Sequence, residues 1–353
     1  MQKKNINRRK FIGSGLAAAA SVAVGKSFAA ESNPRPVFFK KKYEDPFNKR
    51  TFNSMPTRSF GQTGFKVGIL SLGGQAIIEM PGTEEESEKI INRALDLGIN
   101  YIDTAASYGR GQSELNIGRV MKTRRSEVWL ASKTHDRTYD GSMRLLEESL
   151  TALQTDHLDA WQLHNVQRKD QLDQIFAGNG AIKAMEKAKS EGMVRYTGIS
   201  GHYEPLILID AMNMYPFDQL LLALNAADIH YLSFKNYLLP EAQRKGIATI
   251  GMKVATRGRM LSTWTPPPLD EQPARLATTR PGTVTIKEAL KYNMSLPVST
   301  TIIGVDNIAQ LEEDVKIASE FSPLCEAEMK EIEFKTLPIV RQGLYFRRWD
   351  MGA

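Results

Sequence analysis

The chain of 353 residues has one cysteine, Cys325. No intrachain disulfide can form, and thiolate-cluster zinc or iron–sulfur sites are excluded. Histidine is scarce too: none of His135, His157, His164, His202 and His230 pairs with another at i, i+4 spacing beside a glutamate, so no metal site is predicted. Acids are missing from the first thirty residues, which hold Lys3, Lys4, Arg8, Arg9, Lys10 and Lys26. These cations account for the whole formal charge of +6 and leave the rest of the chain neutral. With no remaining run of cations to neutralise phosphates, nucleic acid is not an expected partner.

The missing acids are themselves informative. Asn7-Arg8-Arg9-Lys10-Phe11-Ile12, followed by the small, weakly apolar residues 13–25, predicts a twin-arginine signal over residues 1–30 with cleavage after Ala29 or Ala30. The apolar stretch is too short to span a bilayer, so no stable membrane insertion of the mature chain is expected. The expected partner is the twin-arginine export machinery, and the expected location is periplasmic or otherwise extracytoplasmic. That pathway carries folded proteins, so a tightly held cofactor would be acquired before export. Residues 31–56, with Pro34, Pro36, Pro46 and Pro56, predict an extended approach segment.

With 42% hydrophobic and 24% charged residues, the remainder has the composition of an ordinary folded protein. Residues 57–68, with Gly61 and Gly64, suggest a small hairpin. Short apolar runs then recur at 69–73, 100–103, 128–133, 158–164, 194–200, 219–225, 247–253 and 300–304, separated by segments of helical period. Thr83 and Glu86 have the spacing of a capping box, and Gly98 and Gly192 stand where helices would stop. Eight strands alternating with helices over residues 57–320 predict an α/β fold, the (β/α)8 TIM barrel, followed by a C-terminal helix and tail at 321–353. An open doubly wound sheet is the alternative. Its first turn would carry GxGxxG, and Ser71-Leu72-Gly73-Gly74-Gln75 lacks that spacing.

In a barrel the chemistry comes from the C-terminal ends of different strands. Here those ends are polar: Asp103, with Tyr108 five residues later, then Lys133, then His164. A phenol is too weak an acid to protonate an alkoxide well near neutral pH, and a neighbouring ammonium favours its phenolate. An aspartate keeps that ammonium charged, and a histidine can orient a carbonyl or relay a proton. Such a set suits a reaction that adds hydride to carbon and a proton to oxygen.

At these residues the chain resembles the aldo-keto reductase family. The stretch Ala94-Leu95-Asp96-Leu97-Gly98-Ile99-Asn100-Tyr101-Ile102-Asp103-Thr104-Ala105-Ala106-Ser107-Tyr108-Gly109 matches the signature around that family's aspartate and tyrosine. The resemblance implies a barrel that binds a nicotinamide dinucleotide across its mouth, with Asp103, Tyr108, Lys133 and His164 as the catalytic tetrad and Tyr108 as proton donor. It implies further that Gly73 and Gly74, Ser200, Asn225 and Lys253 lie against the coenzyme. Gly201 stands where the family has asparagine, Asn225 where it has glutamine, and Lys253 where an aromatic ring stacks on the nicotinamide. Residues 302–314 resemble the adenosine-phosphate loop and helix, which makes Gly304, Asp306, Gln310, Glu313 and Asp314 candidates at that end. Family precedent favours NADP(H). The absence of basic residues at Gly304 and Gln310, with Asp306 beside them, leaves NAD(H) open.

The expected activity is that of an exported NAD(P)(H)-dependent oxidoreductase interconverting a small-molecule carbonyl and an alcohol. The alternative is a nicotinamide-binding sensor or interaction subunit with little turnover. His202 follows Ser200 and would border the substrate or lie on a surface loop. Residues 262–282, with Trp264, form a long loop after the seventh strand that clasps the coenzyme or makes a surface excursion. Tyr345-Phe346-Arg347-Arg348-Trp349 would close over the mouth, hang free or meet another copy.

Overall fold

The structure, a computed structural model, describes residues 43–272 and 278–349. The predicted signal and residues 31–42 of the approach segment lie outside them. Within the described part of that segment, Thr51–Ser54 (α1) form a helical turn, which corrects the expectation of extended chain throughout. The expected hairpin is present as β1 (Thr57–Ser59) and β2 (Lys66–Gly68), paired antiparallel.

Eight parallel strands then close into a barrel: β3 (Leu70–Gly73), β4 (Tyr101–Asp103), β5 (Trp129–Thr134), β6 (Leu158–Leu163), β7 (Val194–Gly201), β8 (Gln219–Ala223), β9 (Ala248–Met252) and β10 (Thr300–Ile303). Strand β10 pairs with both β9 and β3, so no edge is left open. The layer around it comprises α2 (Glu84–Asp96), α3 (Gln112–Arg124), α4 (Tyr139–Ala152), α5 (Lys169–Ile175), α6 (Ala181–Ser190), α7 (Pro205–Met214), α8 (Phe234–Arg244), α9 (Ile286–Ser295) and α10 (Ile308–Ser319). Two more helices, α11 (Glu326–Thr336) and α12 (Val340–Gly343), precede the C-terminal tail. Among the described residues no helix is long and apolar enough to cross a membrane.

Period-two alternation divides each strand between two cores. On β5, Trp129 and Ala131 join the cluster inside the barrel, while Leu130 joins the cluster between barrel and helices. The same parity sends Lys133 inward. The hairpin closes the N-terminal end, where Phe60 packs 5.0 Å from Trp129 and 5.4 Å from Tyr101. With that end filled by rings, the inward-facing polar residues gather at the C-terminal mouth. A cleft of about 400 Å³ at the filled end, lined by Tyr43, Asp45, Arg125 and His157, contains none of the candidate residues.

Local signals succeeded unevenly. Gly98 and Gly192 take φ of 90° and 74° after α2 and α6, as their role as stops requires. The expected capping box at Thr83 does not form. Its hydroxyl turns back to donate to the carbonyls of Ile77 and Met80, both at 2.8 Å, because the preceding turn offers nearer acceptors. The reciprocal box forms instead at Thr285 and Glu288 on α9.

Phe60→Ala removes a fully buried ring on which three inner aromatic contacts converge, from Phe65, Tyr101 and Trp129. Chemical denaturation should show a loss of about 3–5 kcal/mol in unfolding free energy.

Candidate active site

Tyr108 is placed by an unusual turn. After it, Gly109, Arg110 and Gly111 have φ of 56°, 57° and 96°, three successive left-handed residues that reverse the chain before α3. A Cβ on Gly109 would lie 1.9 Å from the carbonyl oxygen of Glu79, so only glycine fits there.

The phenol meets Lys133 on the neighbouring strand end. The buried Lys133 ammonium is paired with Asp103, donates to the Thr104 carbonyl at 2.6 Å and stands 3.3 Å from the Tyr108 hydroxyl. It also lies 4.7 Å from the centre of the Tyr108 ring. Gln162 on β6 donates to the second oxygen of Asp103 at 2.9 Å and fixes that carboxylate from the other side. His164 turns its edge to the phenol ring at 5.6 Å, and its Nδ1 lies 3.2 Å from the Ser107 hydroxyl. The four predicted residues are thus brought together at one mouth.

Their electrostatics follow from burial. Burial alone would lower the Lys133 pKa, but Asp103 and Tyr108 together outweigh it and hold the ammonium charged above its ordinary value. For Tyr108 the balance runs opposite to the simple expectation of an acidified phenol: burial pushes its pKa up, with Asp103 in support, and exceeds the pull of Lys133. The phenol therefore keeps its proton at neutral pH. His164 is pushed well below its ordinary value by burial and then by Lys133 and Arg137, so its imidazole is neutral.

The other candidates are more dispersed. Gly73 and Gly74 serve close packing: an added Cβ would meet Ile302 at 2.9 Å and Ser113 at 2.5 Å. Ser200 is buried near the end of β7, where its hydroxyl accepts from the backbone N–H of Asn165 at 2.9 Å. The Asn225 amide is spent on the carbonyls of Lys253 and Gly343 and the Thr256 hydroxyl, and its oxygen accepts from Ala227 N. Lys253, left-handed at φ 62°, donates to the Gln75 side chain at 2.8 Å. Burial, then Arg257 and Lys133, lowers its pKa to about 8.

At the start of α10, Asn307 caps the helix and Gln310 accepts from Asp306 N at 2.8 Å; no cation occupies this first turn. Gly304 lies against Gln75, with room for a Cβ only 3.2 Å from its carbonyl oxygen. Glu313 is exposed, whereas Asp314 is buried and its pKa raised by burial to about 7.

Several site residues escaped the sequence reading. Gln162 was detectable, since parity along β6 puts Ala160, Gln162 and His164 on one face. Asn165 had no signal; it takes φ of 51° after His164, and its side-chain oxygen lies 2.9 Å from His202 Nδ1. His202 therefore borders the mouth. The tail crosses it too: Arg347 forms a fully buried ion pair with Asp228 and donates to the carbonyls of His202 at 2.8 Å and Ala223 at 3.0 Å.

A closed parallel barrel with a lysine–carboxylate pair beneath a phenol at its C-terminal mouth defines a class of oxidoreductase. The chain belongs to the aldo/keto reductase family, whose profile it matches over residues 66–336. It is 27% identical over 325 residues to the uncharacterized oxidoreductase YqkF of Bacillus subtilis, covering 82% of this chain and 98% of that protein. It is also 27% identical over 296 residues to L-galactose dehydrogenase of Arabidopsis thaliana, covering 76% of this chain and 89% of the relative. Among solved structures it resembles the holo form of aldo-keto reductase AKR11C1 from Bacillus halodurans, with a TM-score of 0.65, 26% identity and coverage of 80% and 96%.

Gly109→Ala should move Tyr108 and lower turnover by about 10²-fold, the cost of an ångström-scale misplacement. Steady-state kinetics beside a thermal melt would check this, and full activity would show that the turn does not position the phenol.

Proposed function

We propose that the protein is an exported NAD(P)(H)-dependent oxidoreductase that interconverts a carbonyl and an alcohol, with Tyr108 moving the proton. The contact of Lys133 with both Asp103 and the Tyr108 hydroxyl carries this reading. When bound, the nicotinamide supplies or accepts the hydride. In reduction Tyr108 gives its proton to the carbonyl oxygen as that oxygen gains negative charge, and the Lys133 ammonium steadies the phenolate left behind. In oxidation the phenolate takes the alcohol proton. The neutral His164, its Nδ1 turned to Ser107, directs Nε2–H at the substrate oxygen and orients it.

The residues present fit one end of the coenzyme better than the other. Ser200, Asn165 and His202 form a group of donors and acceptors suited to a carboxamide. The first turn of α10 offers a helix N-terminus but places Asp306 there, a poor setting for a 2′-phosphate. We therefore read the coenzyme as NAD(H), against the family precedent for NADP(H). The substrate reading is a polar aldehyde or sugar, because an exported enzyme meets polar metabolites and one relative is L-galactose dehydrogenase.

Tyr108→Phe should lower turnover by about 10²–10⁴-fold while coenzyme affinity stays the same. In the wild type, reduction consumes the phenol proton, so its rate holds to high pH and falls only above the ordinary tyrosine value of 10; oxidation needs the phenolate and climbs over that range. A pH–rate profile in both directions checks the sign. Tight coenzyme binding with no turnover on a panel of carbonyls would turn the reading to a sensor or interaction subunit.

The arginine pair motivates the export reading. Replacing Arg8 and Arg9 with lysine should retain the protein in the cytoplasm, as cell fractionation would report. Unchanged export would remove the twin-arginine assignment.

A further inference from the structure

We infer that Phe346, carried on the C-terminal tail, supplies the aromatic face against which the nicotinamide ring of the coenzyme rests. The inference depends on the coenzyme reading above and assigns a residue far outside the strand ends that form the tetrad.

The ring stands in the right place. Phe346 is half-buried and packs against the inner-barrel cluster to which Ala223 and Met252, the last residues of β8 and β9, belong. It meets His202 edge-on at 5.8 Å, and His202 in turn reaches Asn165, next to His164, which faces Tyr108 at 5.6 Å. Phe346 therefore lies on a chain of side-chain contacts around the mouth that runs through His202 and Asn165 toward His164 and the phenol. Strand β9 and the two residues after it, Ala248 to Val254, contain no ring of their own.

The tail is also pinned more firmly than coverage requires. Arg347 pairs with Asp228, bonds two carbonyls at the ends of β7 and β8, and lies 3.9 Å from the centre of the Phe234 ring. Arg348 N donates to the Tyr203 carbonyl at 3.1 Å, and Trp349 stacks on Tyr231 at 4.1 Å and 6°. On the other side, Asn225 donates to the Gly343 carbonyl at 3.0 Å. Burying a guanidinium and a carboxylate is costly even when they are paired, so such a pin contributes geometry rather than stability. What it holds still is the residue between the anchors, Phe346. A planar ring that becomes cationic on oxidation is well matched to an aromatic face.

The test uses the full-length protein titrated with NAD⁺, NADH and ADP-ribose, which shares every part of the coenzyme except the nicotinamide. Phe346→Ala should weaken NAD⁺ binding roughly tenfold and leave ADP-ribose affinity unchanged. Phe346→Trp should keep NAD⁺ affinity within about threefold and add a long-wavelength charge-transfer absorbance on binding, a signature that a merely structural role would not produce. Unchanged NAD⁺ affinity in Phe346→Ala, an equal loss for NAD⁺ and ADP-ribose, or a tryptophan variant that binds without the new absorbance would overturn the inference alone. A wild-type protein that binds neither NAD(H) nor NADP(H) would overturn the coenzyme reading and this inference with it.

Discussion

The buried pair of Lys133 and Asp103 is the constraint around which the mouth is arranged. A charged ammonium that is 1% exposed survives only beside a carboxylate, and that carboxylate in turn is held by Gln162. Each partner comes from a different strand, so the pair exists only when β4, β5 and β6 are in register. The register also fixes where the phenol lies, because Tyr108 follows Asp103 by only five residues and the three left-handed residues after it, Gly109 to Gly111, turn the chain into α3. Strand pairing, ion pairing and proton transfer are in this sense one requirement expressed at three scales.

The barrel could be read from the sequence because its strands are short apolar runs separated by segments of helical period, some with stops of their own. The convergence of Asp103, Lys133 and His164 could be read for the same reason: they sit at or next to strand ends, where local pattern and tertiary position coincide, and Tyr108 follows in the turn after β4. The reading failed where chemistry depends on neighbours remote in sequence. Thr83 had a capping spacing, yet the carbonyls of the preceding turn captured its hydroxyl. Tyr108 has the expected ammonium beside it, but burial, which no local pattern records, sets the direction of its pKa. Asn225 looked free to meet a ligand, and the fold had already committed its amide to Gly343, 118 residues away.

Charge around the mouth is distributed unevenly. Cations are absent from the first turn of α10, while Lys253 places one at the end of β9, held in a left-handed backbone and bonded only to a neutral amide among the contacts seen. Strand β9 carries no ring, and Phe346 of the tail packs against the same inner cluster as Met252, the last residue of that strand.

The link between Arg347 and Asp228 spans 119 residues, and it joins the tail to the middle of the barrel. A chain emerging from the ribosome has all eight strands in hand well before this arginine appears, so sheet closure and completion of the mouth are separate events in synthesis. Long-range contacts of this kind form late. A nascent barrel would thus remain an unfinished vessel until the stretch carrying Arg347 had arrived to seal the rim.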